Sequence, residues 1–203
     1  MTIEEIDLYW MRPEDLSKYL PNKGCAESET KNSLALAEMI LARKIKASEC
    51  PGIEPKLAET IDQIMTVDLH LPESDSLQQK IPEKLVEINS PDESSPVLLT
   101  GNSILTHKVL RLIFDAAKVS TFIIPVDTNG YTLDNSVVVN ALTPMAVMRA
   151  VTESDIMRRT SSRKMIIPGL AFNSKSPIER VTRWSVEVGP VSGFELPLYL
   201  MTK

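Results

Sequence analysis

The sequence predicts an α/β protein, with a Rossmann-like, doubly wound and mainly parallel sheet behind a small helical N-terminal subdomain. Two observations lead to this prediction. After residue 96, short apolar runs alternate with amphipathic segments of crossover-helix length, and each run ends in Gly, Asn, Thr, Asp or Pro. Before residue 57 the apolar residues follow a helical period instead. Strands that alternate with crossover helices are typical of an open parallel sheet.

The first predicted domain covers residues 1–56. A helix is expected from Ser33 to Ala47, where apolar residues recur on one face: Leu34, Ala37, Ile40, Leu41 and Ile45. The tripeptide Cys50-Pro51-Gly52 provides the stop, because proline and glycine do not continue a helix. This part of the chain is therefore interpreted as a small helical cap.

Residues 57–96 form a predicted connecting segment. It contains most of a helix, Pro55 to Met65, an alternating run from Thr66 to Leu71 and a short strand from Lys84 to Ile88. Asn89 to Pro96 is a linker by composition, being rich in Ser, Pro and Asp.

Residues 97–203 form the predicted sheet domain. Its strands are predicted at residues 97–99, Ser120–Val126, Lys164–Ile167 and Ser185–Val188. Its helices are predicted at Ile104–Ala117, Pro144–Arg159 and Ile178–Thr182. In open α/β sheets ligands bind outside the carboxyl ends of the strands, so the four turn-rich strand ends predict a ligand edge.

Composition narrows the function classes. The formal net charge is -5 and aromatic residues make up only 5% of the chain, so nucleic acid and anionic membranes are not expected partners. The N-terminus lacks the basic and apolar regions of a secretory signal, and no apolar run has the length of a bilayer span. A cytoplasmic location is therefore expected.

The segment from Leu20 to Ile53 keeps the frame of a four-cysteine iron-sulfur module but contains only Cys25 and Cys50. Its Leu-Pro pair, Ala-rich helix, basic stretch and Cys-Pro pair resemble the N-terminal domain of the corrinoid iron-sulfur protein large subunit. That subunit is called gamma in the acetyl-CoA decarbonylase/synthase complex. Ser28 and Ser33 stand where this resemblance places two further cysteines.

Serine hydroxyls are much weaker iron ligands than thiolates, so an intact [4Fe-4S] cluster is not expected. The favoured role for Cys25 and Cys50 is packing as small buried apolar residues, as relics of the cluster site. A disulfide is disfavoured because no secretory signal is present. A mononuclear two-cysteine site and a metal shared between two chains through these cysteines stay open.

The strand ends carry a second resemblance. Pro96–Asn102, Val126–Gly130, Ser162–Gly169, Arg183–Val191 and Leu196–Leu200 are similar, in order and spacing, to the C-terminal corrinoid-binding domain of that large subunit. They are also similar to the corrinoid domain of the mercury-methylating corrinoid protein. The family's barrel domain has no room here, because such a barrel needs about 200 residues.

The resemblance implies a bound cobamide whose lower base is detached from cobalt. Removing this ligand makes Co(II) easier to reduce to Co(I), which takes and gives a methyl group. The residues implied as its lining are Thr100, Gly101, Asn102, Thr106, Asp127, Thr128, Gly130, Pro168, Gly169, Gly189, Pro190 and Val191.

One segment departs from the resemblance. The family has a glycine- and alanine-rich cap after its second strand, whereas Tyr131 to Asn140 is bulkier here, and Val137, Val138 and Val139 are expected to fill the cleft. His70 and His107 lack zinc-site spacing, so surface or capping roles are expected for both.

Three functions follow. The first is a corrinoid-binding methyl carrier or cobamide storage protein of the acetyl-CoA pathway, which works with a methyltransferase or an acetyl-CoA synthase/corrinoid protein subunit. The alternative is a cofactor-free paralogue that acts as an interaction or assembly module for such a complex. An independent small enzyme ranks last, because no nucleophile and base stand together in the sequence. A carrier or binding protein is preferred to an enzyme.

Overall fold

A computed structural model describes residues 10–25, 32–69 and 78–202, without the side chains of residues 133 and 134. The chain divides into two compact units. The helical unit comprises Met1–Asp68 with Ser192–Lys203, and the sheet unit comprises Leu69–Val191. The predicted division at residues 56 and 96 stays a prediction, and the compact units group differently: residues 192–203 join the helical unit.

In the part of the sheet unit that the structure describes, five strands form one sheet in the order β1-β3-β2-β4-β5. They are β1 (Val86–Ile88), β2 (Val97–Gly101), β3 (Thr121–Val126), β4 (Lys164–Ile167) and β5 (Ser185–Val188). Strands β2 to β5 run parallel, and β1 pairs antiparallel with β3 at one edge. The predicted α/β class with a mainly parallel sheet is confirmed.

Residue alternation sends each central strand's side chains to both faces of the sheet. Val97, Leu99, Phe122 and Ile124 join one buried cluster with residues of the helix Pro144–Glu153. The intervening residues of β2 and β3 point to the opposite face, because successive side chains of a strand alternate between the two faces of the sheet. Both strands are buried along their whole length, as expected for parallel strands covered on two sides.

The described residues of the sheet unit form four α-helices. They are α4 (Ile104–Ala117), α5 (Leu133–Val138), α6 (Pro144–Glu153) and α7 (Lys175–Thr182). The predicted helix α4 is confirmed at both ends, and Lys118 closes it in the left-handed conformation.

Two predicted helix bounds in the sheet unit are wrong. The helix predicted to reach Arg159 stops at Glu153, because Asp155 adopts a left-handed conformation with φ 52°, and a 3-10 turn, Ile156–Arg158, follows. Helix α7 begins three residues before the predicted Ile178.

The helical unit contains α1 (Pro13–Ser17), α2 (Ser33–Leu41), a 3-10 turn (Ala47–Glu49), α3 (Pro55–Met65) and α8 (Leu196–Met201). The helix α3 is confirmed at both predicted ends, and the Glu54 carboxylate accepts the N–H groups of Lys56 and Leu57 at its start. Thr66 to Leu69 form no strand, and the rest of that predicted run lies outside the described residues.

Helix α2 is shorter than the predicted Ser33–Ala47 because a Schellman turn ends it. Arg43 has φ 56° and donates its N–H to Ile40, while Lys44 donates to Met39. A left-handed residue other than glycine gives no simple sequence signal. The apolar pattern therefore predicted a helix longer than the one observed.

Residues from near both ends of the chain contribute to the core of the helical unit. The rings of Trp10 and Phe194 stack with centroids 4.4 Å apart. The buried Glu195 carboxylate accepts hydrogen bonds from Lys18 Nζ at 3.2 Å and Tyr19 Oη at 3.0 Å. Burial, followed by the Glu195 charge, raises the pKa of Tyr19, so the phenol stays a donor.

Candidate cofactor-binding edge

The predicted site residues lie at the carboxyl edge of the parallel strands and fall into two groups. The β2–β3 group contains Thr100, Gly101, Asn102, Thr106, Asp127, Thr128 and Gly130. The β4–β5 group contains Pro168, Gly169, Gly189, Pro190 and Val191. Because β2 pairs with β4, the two groups meet at one sheet edge. The two groups nevertheless have very different surroundings.

Asn102 is the centre of the β2–β3 group. Its Oδ1 accepts hydrogen bonds from the N–H groups of Thr128 and Gly130, both at 3.1 Å, and from Thr128 Oγ1 at 3.3 Å. Its Nδ2 donates to Asp127 Oδ1 at 3.0 Å. Asn102 and Thr128 are buried, so this amide holds the turn after β3 against the end of β2.

Glycines allow the close contacts in this group. A Cβ on Gly101 would lie 2.6 Å from Thr128 Oγ1. Gly130 has φ 80°, and a Cβ there would overlap the backbone carbonyl of Gln78. The chain before β1 therefore covers this turn, and Ile81 also donates its N–H to the Asn102 carbonyl.

Asp127 is the one charged member of the β2–β3 group. Partial burial would raise its pKa, but hydrogen bonds from the Asn129 N–H, Lys80 and Asn102 outweigh that effect and lower it. The carboxylate is therefore ionised at neutral pH and serves as a turn and pairing residue. Its place after β3 agrees with the role of a turn former.

His107 belongs to α4 and lies close to Gly101, the last residue of β2. Its Nε2 is 3.0 Å from the Gly101 carbonyl, which fixes Nε2 as the donor. Burial lowers the pKa of His107 to about 4, so the ring is neutral at pH 7. Within the described residues, His107 Nδ1 and Ser103 Oγ are buried without a partner. Of the surface and capping roles predicted for His107, the surface role is wrong, because the side chain is buried and bonds to the strand-end carbonyl of Gly101. His70 lies outside the described residues.

The β4–β5 group is built mainly from backbone. Gly169 donates its N–H to the Pro190 carbonyl at 3.0 Å, and Gly189 donates to Ile167 at 2.8 Å. A Cβ on Gly169 would come within 2.9 Å of Gly189 O and of the Val191 side chain. The group is half-buried, and Val191 is exposed.

Helix α5 replaces the small-residue cap of the resemblance. It lies beside β2 and beside the 3-10 turn Gly169–Ser174 that follows β4. Val137 packs against the sheet core, but Val138 is 83% exposed and Val139 is 50% exposed. The expectation that all three valines fill the cleft is wrong for two of them, because the helical period turns Val138 and Val139 away from the sheet.

Three exposed apolar side chains border this part of the edge: Val138, Phe172 and Val191. We call them the apolar rim. Phe172 belongs to the 3-10 turn beside α5, and Val191 contacts the Gly169 backbone position. Phe172 was not among the predicted site residues. Its signal in the sequence was an aromatic residue just after the strand-end Pro168-Gly169 pair.

Cys25 and Cys50 form a disulfide in the helical unit, with Cα atoms 5.6 Å apart. The expectation against a disulfide is therefore wrong. The Asp62 carboxylate accepts the N–H groups of Ala47 and Ser48, which holds the turn that leads into Cys50. Both sulfur atoms are used in this bond, so the paired cysteines do not fit an iron-sulfur cluster. Ser28 lies outside the described residues.

The described residues contain neither a metal-binding cluster nor a membrane-spanning helix. Between residues 10 and 202, outside the two gaps, no three His, Cys, Asp or Glu side chains are grouped to hold a metal ion. Among the described helices, none combines the length and apolar character needed to cross a bilayer.

Residues 68–199 match the family described as the CO dehydrogenase/acetyl-CoA synthase delta subunit. The chain belongs to this family. The match spans the whole carboxyl edge and most of α8, so both strand-end groups lie inside it. The resemblance inferred from the strand-end motifs is confirmed.

Curated relatives agree with this assignment. The chain is 34% identical over 122 residues to the acetyl-CoA decarbonylase/synthase complex subunit gamma of Methanopyrus kandleri, which covers 60% of this chain and 26% of that protein. It is 28% identical over 111 residues to the corrinoid/iron-sulfur protein large subunit of Moorella thermoacetica, covering 55% and 25%. The chain thus spans about a quarter of the length of these relatives.

Proposed function

We propose that the chain binds a cobamide at the carboxyl edge of its sheet, as a relative of the methyl-carrier subunits of the acetyl-CoA pathway. One observation carries the proposal: a strand-end surface of backbone and exposed apolar side chains lies inside the matched family region. One relative is named a corrinoid/iron-sulfur protein large subunit.

The β4–β5 group supplies the surface that suits a corrin ring. A corrin has broad apolar faces, and it therefore needs exposed apolar side chains beside a surface that is not blocked by bulky groups. Val138 and Phe172 are exposed by 83% and 59%, and Gly169 and Gly189 add no side chain to the half-buried backbone between them.

The β2–β3 group supplies rigidity instead of direct contact. Asn102 and Thr128 are buried, and their polar atoms form hydrogen bonds with one another and with nearby backbone. In this proposal Thr100, Thr106 and Gly130 belong to the same support, since they are also buried. A rigid support keeps a binding surface pre-organised and reduces the ordering cost of binding.

When bound, the cobamide supplies a cobalt centre that can carry a methyl group. The chain's own residues hold and orient the ring in this proposal, and no catalytic side chain is assigned. The proposed partners are a methyltransferase or acetyl-CoA synthase/corrinoid protein subunit, because the relatives are named as subunits of the acetyl-CoA decarbonylase/synthase complex.

The test is anaerobic reconstitution of the purified protein with cobalamin, followed by gel filtration and visible spectroscopy. The wild type should elute with about one corrinoid per chain. Phe172→Asp should lower the affinity about tenfold or more, because a charge would be buried under the ring. Leu112→Asp is the matched control, since Leu112 is also exposed but lies on α4. A colourless wild-type protein would remove the proposal.

A second function has its own support. The polar groups of the β2–β3 group are satisfied internally, and Val138 and Val139 are more exposed than most apolar side chains. A cofactor-free module that docks on other subunits of the complex fits these facts. It predicts co-elution with such a co-expressed subunit without cobamide, and loss of co-elution in Val138→Asp.

A further inference from the structure

The amino edge of the sheet, opposite the candidate cofactor-binding edge, carries a concentration of positive charge. Residues 158–183 include seven basic residues and one acidic residue, although the whole chain has a net charge of -5. Six of the seven are exposed residues at the starts of β4 and β5, at the end of α7 and in the 3-10 turn that follows α6. We call them the basic cluster: Arg158, Arg159, Arg163, Lys164, Arg180 and Arg183. The seventh, Lys175, begins α7.

The ends of two strands and one helix bring four of these residues to one surface. Lys164 begins β4 and pairs with Ser185, the first residue of the parallel strand β5. The carbonyl of Arg163 accepts the N–H of Ser185 at 2.8 Å. Arg183 stands two residues before β5 and closes α7, and Arg180 lies on the last turn of that helix. Because parallel strands start at the same edge of a sheet, these residues share that edge.

The charges of the basic cluster are only partly neutralised. Arg158 Nε lies 3.4 Å from Asp155 Oδ2, and Arg159 Nη2 lies 2.6 Å from Glu87 Oε1. The other four members form no side-chain hydrogen bond or ion pair with any residue that the structure describes: Arg163, Lys164, Arg180 and Arg183. Four exposed positive charges are therefore available to a partner.

The composition of the basic cluster favours a protein as that partner. Five of its six members are arginines, and Met157, which precedes Arg158, is 55% exposed. Arginine and methionine are enriched at protein–protein interfaces, whereas lysine is depleted there. A guanidinium also binds a carboxylate through two parallel hydrogen bonds. The acidic net charge and the few aromatic side chains of the chain disfavour nucleic acid.

We propose that the basic cluster docks an acidic segment of a partner protein, whose Asp and Glu carboxylates pair with Arg163, Arg180 and Arg183. The one acidic residue of this region does not compete, because the Glu179 carboxylate accepts the Val186 N–H at 3.0 Å. Complementary charge speeds the encounter and fixes the orientation of the partner. The basic cluster lies where the strands start and the proposed cobamide contacts lie where they end, so docking is independent of the proposed function.

The first experiment is a fluorescence anisotropy titration of a labelled oligoglutamate peptide with the full chain at low salt. The double variant Arg163→Gln/Arg180→Gln should weaken binding about tenfold, because two exposed ion pairs are lost. The matched control is Lys108→Gln/Arg111→Gln, which removes two exposed positive charges from α4 and should bind nearly as the wild type does. Added salt should weaken wild-type binding, because it screens exposed charges.

The second experiment locates the bound peptide on the chain. Lys164 is the primary amine of the basic cluster, so a peptide with carboxylates activated beforehand should form an amide bond with it. Mass spectrometry of the digested protein detects this cross-link. Lys164→Arg keeps the charge and should lose the cross-link. An equal yield of cross-link at Lys108 would place the peptide elsewhere and contradict the proposal.

Docking at the basic cluster is refuted if the peptide does not bind at low salt, or if both double variants bind it equally well. It is also refuted if duplex DNA or vesicles of anionic lipid bind more tightly than the peptide through the same arginines, because the partner then belongs to another class.

Cobalamin binding separates this proposal from the proposed function. The Arg163→Gln/Arg180→Gln protein should bind cobalamin as the wild type does. If that variant alone loses cobalamin, the two arginines support the fold and the docking proposal is refuted. If neither protein binds cobalamin, the proposed function fails, whereas arginine-dependent peptide binding would still support docking.

Discussion

The two strand-end groups share one sheet edge but are built in different ways. In the β2–β3 group, buried side chains bond to one another, and the chain before β1 covers the turn at Gly130. In the β4–β5 group, glycine and proline backbone is half-buried, and Phe172 and Val191 are exposed beside it. The family match covers both groups equally.

This difference separates the residues that support the edge, in the β2–β3 group, from the residues that form its exposed surface, in the β4–β5 group. Strand-end Asn, Thr and Asp residues look like ligand contacts in a sequence, yet Asn102 and Thr128 act on their own loop. In the proposed function, the ligand contacts are therefore assigned to the β4–β5 group and the apolar rim. Changes in the β2–β3 group should therefore lower stability, and changes at the apolar rim should lower binding.

The largest expected effect is that of Gly130→Ala. The new Cβ would overlap Gln78, and the positive φ of 80° adds strain, so unfolding should become easier by about 4 kcal/mol. Urea unfolding followed by far-UV circular dichroism, which reports the helices of both units, measures this loss.

Gly52→Ala is the control, because its Cβ would meet only Pro21 at an ordinary 3.5 Å. A Gly130→Ala protein as stable as the wild type would show that the segment at Gln78 does not cover the turn.

Asn102→Ala should have the next largest effect. It removes the acceptor of the Thr128 and Gly130 N–H groups in a buried site, and the loss should be about 3 kcal/mol. Asn173→Ala, at an exposed position, should change stability by less than about 0.5 kcal/mol. Equal effects from the two substitutions in the same unfolding assay would contradict the supporting role of Asn102.

A smaller effect should appear on acidification. His107 has a pKa of about 4 in the folded protein against 6.5 as its ordinary value, mainly because of burial. The unfolded chain therefore binds the proton first, and stability is lost as pH falls from 6.5 through 4. The loss attributable to this ring should be about 2 kcal/mol by pH 5.

The measurement is the free energy of unfolding of wild type and His107→Leu between pH 7.5 and 4.5. The variant should lose less stability over this range, whatever its stability at pH 7. The nearby charges of Glu83 and Arg111 are present in both proteins and cancel in the difference. Parallel pH profiles would contradict a buried neutral His107.

The positions of the parallel strands were predictable because local signals define them, whereas their order in the sheet was not predicted. Apolar runs that end in turn residues located β2 to β5 correctly, and those ends gave both groups. The covering of Gly130 by Gln78 could not be predicted, because it joins positions far apart in the chain. The disulfide between Cys25 and Cys50 was missed because the prediction rested on the expected cellular compartment and not on the distance between the two cysteines.

The sequence pattern also could not predict which way the side chains of Val137, Val138 and Val139 point. Three consecutive valines predict a buried strand or a filled cleft, but as the end of α5 they diverge, and Val138 faces solvent. Likewise the last segment, predicted with the sheet domain, forms α8 of the helical unit through buried residues such as Pro197 and Leu198.

The most direct test of the division of roles is a two-dimensional amide NMR titration of the protein with cobinamide, a corrinoid that has the corrin ring without the nucleotide. The proposal predicts the largest shifts at Gly169, Phe172 and Val191, and small shifts at Thr128 and Gly130. Larger shifts at Thr128 and Gly130 would contradict it, because the β2–β3 group would then contact the ligand.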